Sequence, residues 1–468
     1  MLCSVNAYTP KLGVVVLGDP REEVPWREEE ARRGDALATQ LLSTGLEVKA
    51  PVFVARSADD AENTVKGLIE WGSDLILLYI PVWTYPSITV RAAEVALKQI
   101  PLIIVYGDVL SGVLASSGAL GQVGARHITL WGPVTDVAGR ISKLARAAMA
   151  VRRLEGETFG LIGGRALGMY TVTGDPAQVK TVFGVDVEHV DQLEVLRKAE
   201  SISEEEVDRH FKWLKGRVGK ILYDGRVLTE EKLKRQVRLY LSLKELLKER
   251  GFSFCGLKCQ PELSDGYVNA CVAVAELNDP YDADGLKEPM VCACESDVDG
   301  ALTMQLLKLV SGGKPTTLMD LLVYDYAQQL LFMGNCGGMA TWFAEASNNP
   351  EENLAKVHLL PQVQGKAGGA ATQYVAPEKT FTVARFYRVA GRYHMILMVT
   401  ESVRVDREQL YRSIEPWPHI VVKISPGALQ QLVEIIGANH LHAVEGDYSE
   451  EVKAFCEIKG VELHEIIP

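Results

Sequence analysis

A group of acids and a pair of histidines in this sequence stand where side-chain chemistry is possible. Glu295 ends the short apolar run 290–294; Asp297 and Asp299 follow at the start of an apolar-periodic stretch, 301–310; Asp320 closes a second apolar run, 316–319. Read as strand, helix and parallel strand, this stretch puts both strand ends at one sheet edge. Glu295 and Asp320 then converge at the carboxyl edge, where open α/β sheets bind ligands. Two facing carboxylates repel unless a proton or a metal separates them. The plainer alternative is a helix-capping acid and a loop acid. Farther along, His440 and His442 stand in GANHLHAVEGDY, residues 437–448. Two apart on a strand, they face one side. His440, next to Asn439 in a glycine-flanked turn, is a candidate ligand, with a packed structural histidine as the alternative.

The elements that must position these groups follow from the hydrophobic pattern. LGVVVL (12–17), LILLYI (75–80) and LIIV (102–105) are buried-type strands with helical patterns between them. That alternation predicts a parallel sheet covered by helices on both faces. Its strands hand over to loops carrying Asp19 and Arg21, then Trp83 and Tyr85, then Tyr106 and Asp108, three loops at one sheet edge that could line a binding site. An amphipathic helix over 137–154 leads to the charged EGE at 155–157, read as a domain boundary. A second α/β unit begins with a strand over 159–162 and the glycine-rich GGRALGM. That turn lacks the spacing of a phosphate loop and is explained as well by tight strand–helix packing. Charged helices over 203–215 and 229–250 carry opposite charges four apart and read as solvated outer faces. The strand 252–257 ends on Lys258, Cys259 and Gln260. Beyond Asp325, alternating runs such as TFTVARFY (380–387) and YHMILMV (393–399), separated by glycine-rich turns, indicate antiparallel strands in a small barrel or sandwich. The expected fold class is therefore α/β: two doubly wound parallel-sheet domains, 1–155 and 156–312, followed by a C-terminal antiparallel β-barrel-like domain, 313–468.

Composition narrows the function classes. With 468 residues, 47% hydrophobic and 24% charged, the chain has the balance of a soluble globular protein of several domains. A formal net charge of −12 argues against a nucleic-acid surface, which needs a basic stripe. No apolar run approaches the roughly 20 residues of a membrane span, and the first eleven residues lack a signal-peptide pattern. The eight cysteines are dispersed. Cys271, Cys292 and Cys294 lie in apolar runs, and the Cys255/Cys259 pair has no second pair to complete a zinc site. This usage is that of a reducing cytoplasm.

The segments GLIGGRALGM (160–169), PMVCACESDVDGALTM (289–304), LMD (318–320) and GANH (437–440) occur colinearly, and together the chain resembles the L-fucose isomerase family. The resemblance implies two α/β domains followed by a largely antiparallel β domain, and conversion of aldoses such as L-fucose or D-arabinose to ketoses through a cis-enediol. It also implies a divalent metal, typically Mn²⁺, and a homo-oligomer, trimer or hexamer, with a shared active site. Carried onto this sequence, the family's metal ligands fall on Glu295, Asp320 and His440, with the two acids also catalytic. Asn439 and Gln260 match its substrate-binding residues. Trp83 matches a tryptophan lent by a neighbouring subunit, and Arg21 is the candidate for the family's N-terminal arginine. Two acids and one imidazole with open positions suit Mn²⁺ better than structural zinc. The chain departs from the pattern in being shorter and in its GKAGGAATQYVAP loop, where Tyr374 falls out of register. A modified or charged sugar, or a non-catalytic sugar-binding role, are the alternatives.

Overall fold

Near-continuous runs of Leu, Ile and Val form strands buried on both faces, because nothing on them tolerates water. The computed structural model describes residues 5–50 and 53–468; residues 1–4, at the start of the stretch read for a leader, lie outside the described residues. The described residues form two compact units, one within 5–153 and 450–460, the other of 154–449 and 461–468. In the first, five parallel strands run in the order Glu47–Lys49, Lys11–Val16, Leu75–Ile80, Ile103–Gly107, His127–Thr129. Every residue of Leu75–Ile80 is buried, and its neighbours pair in register, as at Val14 with Leu77. The expected parallel sheet is thus present. Among the described residues no helix is long and apolar enough to cross a membrane.

The second unit holds a four-stranded parallel sheet in the order Cys292–Cys294, Phe254–Leu257, Thr158–Ile162, Asp186–Val190. It also holds a seven-stranded sheet ordered His419–Lys423, Leu330–Gly334, Thr316–Asp325, His440–Glu445, Thr380–Val389, Arg392–Glu401, Glu462–Ile466. All neighbours in the larger sheet are antiparallel except the last pair. The sheet is therefore mixed where a purely antiparallel one was expected. A single antiparallel bridge, Ser402 to Val422, draws its two sides together without hydrogen-bonding them closed along their length.

Between the sheets lies the helix Val298–Val310, all thirteen residues of which are buried. It touches strands of both sheets, as a helix apolar on every side must. Thr303 locks it in place: its hydroxyl donates to the Asp299 carbonyl at 2.7 Å and accepts the Phe386 N–H at 2.9 Å.

Two sequence expectations are corrected here. The strand Thr316–Asp325 does not lie parallel to Cys292–Cys294; it sits inside the seven-stranded sheet, between Leu330–Gly334 and His440–Glu445. Asp320 is consequently mid-strand, not at a strand end. The cause is the length of the run, which continues past Asp320 through LLVYD and pairs as one ten-residue strand. The helix Glu230–Arg250 is likewise no solvated outer face. It buries Leu233, Val237, Tyr240 and Leu247, a helical stripe masked by abundant charges. Its buried Gln236 donates to the Asn269 and Ala370 carbonyls and accepts the Ala370 N–H.

Strand Phe254–Leu257 passes directly beneath the turn that carries Glu295. At Gly256 a Cβ would stand 3.0 Å from the Phe159 ring and 3.0 Å from the Ser296 Cα. Gly256→Ala is therefore expected to cost about 1–3 kcal/mol of stability through overpacking, measured by urea unfolding, and to displace the Glu295 turn.

Candidate active site

The strand Cys292–Cys294 hands over to a turn in which Glu295 and Ser296 both take left-handed backbone conformations, φ 62° and 54°. Two non-glycine residues in that region store strain that the surroundings must hold. The Ser296 hydroxyl does so by donating to the Ile162 carbonyl at 2.8 Å. The turn directs Glu295 toward His440 and leaves Asp297 as the N-cap of the buried helix, accepting the Gly300 N–H at 2.9 Å. Gly300 has to be glycine, since a Cβ there would lie 2.6 Å from His442 Nε2 and 2.8 Å from the Asp297 carboxyl carbon.

His440 opens its strand directly opposite Asp320. Its Nδ1 lies 2.8 Å from Oδ2 of Asp297, and its Nε2 lies 3.1 Å from Glu295 Oε2 and 3.4 Å from Asp320 Oδ1. Nδ1–H donation to the buried Asp297 fixes the tautomer, so the Nε2 lone pair faces two carboxylate oxygens. Nε2 of His440 and Oε2 of Glu295 are buried without a well-aligned hydrogen bond among the described residues. This arrangement calls for a positive charge at its centre, which either a proton on Nε2 or a bound cation supplies. Burial would lower the His440 pKa, but Asp297, Asp320 and Glu295 outweigh it and hold it well above its ordinary value. Burial raises Glu295, against the pull of His440. The donor set, two carboxylates and one imidazole with its second nitrogen secured, fits a divalent cation.

Asp297 is wholly buried and answers both His440 and Arg385. Burial alone would raise its carboxyl, yet Arg385 and His440 keep it well below the usual carboxylate range. Arg385 is also fully buried and donates to the Thr171 carbonyl at 2.9 Å. Asp299 repeats the pattern with Arg388 at 2.9 Å, and burial lifts it to about 6 against that guanidinium. His442 shares the His440 face but is buried and neutral, burial pushing its pKa far down.

Of the residues expected from sequence, Glu295, Asp320, His440 and Asn439 come together. Asn439 is exposed and donates to Asp320 Oδ1 at 3.1 Å. Gln260 is half-buried after its strand, and its amide bonds Gln364 at 2.5 Å. Tyr374 is fully buried, its hydroxyl donating to the Ala340 carbonyl at 2.6 Å, so it is a packing residue. Arg21 and Trp83 belong to the first unit, on loops at the carboxyl edge of its sheet. Arg21 is held by Asp19 at 2.6 Å, and Trp83 is half-buried. Of the three loops there, only the third lines the cleft of about 430 Å³ formed with Arg33, Tyr79 and Trp131. Sequence reasoning missed Asp297 as the partner of His440, and it missed Arg385 and Cys336. The Cys336 thiol, in NCGGMA, lies within electrostatic reach of Asp320 and His440.

Residues 333–466 match the family model described as L-fucose isomerase, C-terminal domain. Over this stretch the chain is similar to the L-fucose isomerase family. It is 25% identical over 332 residues to a sulfoquinovose isomerase of Alkalicoccus urumqiensis, covering 70% of this chain and 69% of that protein. It is 24% identical over 362 residues to a sulfoquinovose isomerase of Clostridium sp. (strain MSTE9), covering 75% of each. An L-fucose isomerase of Phocaeicola vulgatus is 28% identical over 204 residues, 38% of this chain and 34% of that protein. The similarity thus spans about a third of that L-fucose isomerase and more than two thirds of the first two sulfoquinovose isomerases.

The Asp297–His440 contact yields a direct expectation. Asp297→Asn should lower the melting temperature, because it leaves the buried Arg385 guanidinium uncompensated, and in the folded variant lower divalent-metal affinity roughly 10–100-fold, measured by titration of chelator-treated protein with Mn²⁺.

Proposed function

We propose that this chain is a divalent-metal-dependent aldose–ketose isomerase. The observation that carries the reading is the His440 arrangement: Nδ1 given to Asp297, and Nε2 left facing the carboxylates of Glu295 and Asp320. Glu295, Asp320 and His440 would hold the metal, and Mn²⁺ suits their donor set. When bound, the cation supplies Lewis-acid polarisation of the sugar's carbonyl and hydroxyl oxygens. The two acids do the proton work: one moves the carbon-bound proton between C2 and C1 by way of a cis-enediol, and the other serves the hydroxyl oxygens. Their surroundings differ, since Glu295 is somewhat more enclosed and Asp320 stands beside the exposed Asn439. Asn439, exposed at the rim, is placed to hydrogen-bond a sugar hydroxyl.

For the substrate, a sulfonated aldose is the leading reading, because the longer matches are to proteins named sulfoquinovose isomerase. L-Fucose or D-arabinose is second, supported by the family model and the shorter matches. Assembly into a trimer or hexamer, with Trp83 and Arg21 completing a neighbour's sugar pocket, is the accompanying proposal from the family resemblance, as is a role for Gln260 in sugar binding.

The decisive measurement is ketose formation from sulfoquinovose, L-fucose and D-arabinose with chelator-treated protein, with and without Mn²⁺. Turnover of one of them, dependent on Mn²⁺ and restored less well by Ca²⁺, is expected. Glu295→Gln and Asp320→Asn should each lower kcat roughly 10²–10⁴-fold with circular dichroism unchanged. Full activity without metal, or near-normal activity of either variant, would overturn the reading. Trp83→Ala should raise KM for the sugar and leave Mn²⁺ affinity unchanged.

A further inference from the structure

At the edge of the seven-stranded sheet, a second set of ligand-type side chains converges, far in sequence from Glu295 and Asp320. The strand Glu462–Ile466 lies parallel to Arg392–Glu401, with His394 opposite Glu462 and Ile396 opposite His464. Side chains two apart on a strand share a face, so His464 stands on the same face as Glu462 and reaches back over His394. Nδ1 of His394 lies 3.3 Å from Nε2 of His464. The Glu462 carboxylate sits astride the pair, Oε2 3.5 Å from His394 Nδ1 and Oε1 3.5 Å from His464 Nε2. The imidazole planes are near parallel, inclined by 22°, with ring centroids 5.5 Å apart. A third strand supplies the flank: Tyr387, opposite His394, packs its ring 5.2 Å from that imidazole.

We propose that His394, Glu462 and His464 form a site for a divalent transition-metal ion of the zinc type, separate from the Glu295–Asp320–His440 centre. The geometry is the argument. A tetrahedral ion with bonds of about 2.0–2.1 Å to nitrogen and oxygen separates its ligand atoms by about 3.4 Å. The two imidazole nitrogens stand 3.3 Å apart and each lies 3.5 Å from one of the two Glu462 oxygens. One donor atom from each residue lies within 4.8 Å of the others, so a small turn of the exposed carboxylate brings a single oxygen to ligand spacing from both rings. Two imidazoles and one carboxylate suit zinc, nickel or copper rather than calcium or magnesium. Without metal, one ring's N–H points at the other's lone pair. Binding needs both lone pairs, and the donating ring supplies its own by shifting that proton to its outer nitrogen. Glu462 is largely exposed, whereas His394 is mostly covered. The ion therefore meets solvent on the carboxylate side and keeps a fourth position for water. All three ligands stand on hydrogen-bonded strands, which hold them to a fixed spacing. The bound ion ties Glu462–Ile466, a five-residue edge strand, to the body of the sheet.

The test compares chelator-treated full-length wild type with the double variant H394Q/H464Q and with Glu462→Gln. Each is titrated with Zn²⁺ against a chromophoric chelator, and separately with Co²⁺, whose tetrahedral complexes absorb strongly in the visible. Wild type is expected to bind one more Zn²⁺ per chain than the double variant and to show tetrahedral Co²⁺ bands that the double variant lacks. Zn²⁺ should raise the melting temperature of wild type more than that of the double variant, since an ion that binds only the folded state stabilises it. Glu462→Gln, an exposed change that leaves folding intact, should weaken the extra site at least tenfold. Equal Zn²⁺ stoichiometry and the same Co²⁺ spectrum in wild type and a folded double variant would overturn the proposal, as would unaltered Zn²⁺ affinity in Glu462→Gln.

Discussion

One buried carboxylate organises the candidate active site. Asp297 caps the central helix, receives the Nδ1–H of His440 and neutralises Arg385. Each bond answers a different demand. The cap satisfies an otherwise orphaned N–H at the helix start. The imidazole bond chooses which nitrogen faces the acids. The guanidinium balances a charge that burial would otherwise drive out. Removing any one leaves the other two groups with an unmet polar or ionic requirement in a buried region. The contacts also join segments distant in sequence: Arg385 binds the Thr171 carbonyl and Arg388 binds Asp299, so the start of the helix, the loop near 171 and the strand Thr380–Val389 are held as a single assembly. Strain at Glu295 and Ser296 persists because this assembly overdetermines the turn.

Glu295, Asp320 and His440 were legible as residues, but their convergence was legible for the wrong reason. A strand–helix–strand reading put both acids at one sheet edge; in fact they come from two sheets with a fully buried helix between them. Local pattern shows where an apolar run begins more reliably than how far it extends, and Thr316–Asp325 extends past the point where polar residues return. Which sheet a strand joins depends on partners more than a hundred residues away, here His440–Glu445. The parallel sheet of the first unit was readable because every residue of strands such as LILLYI is apolar, which only a doubly covered sheet explains.

Arg385 was hidden for a related reason. In TFTVARFY it occupies one position of an alternating run, where an arginine reads as solvent-facing. It is buried because its partner, Asp297, lies 88 residues earlier in the chain. Charge density misled in the same way over Glu230–Arg250, whose many acids and bases disguise a buried stripe. Tyr374 lies in a loop read only as out of register, and its burial and its bond to the Ala340 carbonyl were not legible there; Gln260 follows its strand as read and meets Gln364.

The first unit is discontinuous, and that has a consequence for synthesis. Its helix Ser449–Lys459 lies between two strands of the larger unit's sheet in sequence, yet its buried Glu451 pairs with Arg146 at 3.1 Å, and Arg126 donates to the carbonyl of Ile458. A ribosome making this chain releases the first unit's five strands early, while the segment that covers Arg146 is among the last to emerge. The unit encoded first therefore waits for residues 450–460, after nearly all of the larger unit has been made, before its last segment is available. Until that segment emerges, Arg146 lacks the Glu451 carboxylate, and Val452, Ala454 and Phe455 are not yet there to be buried.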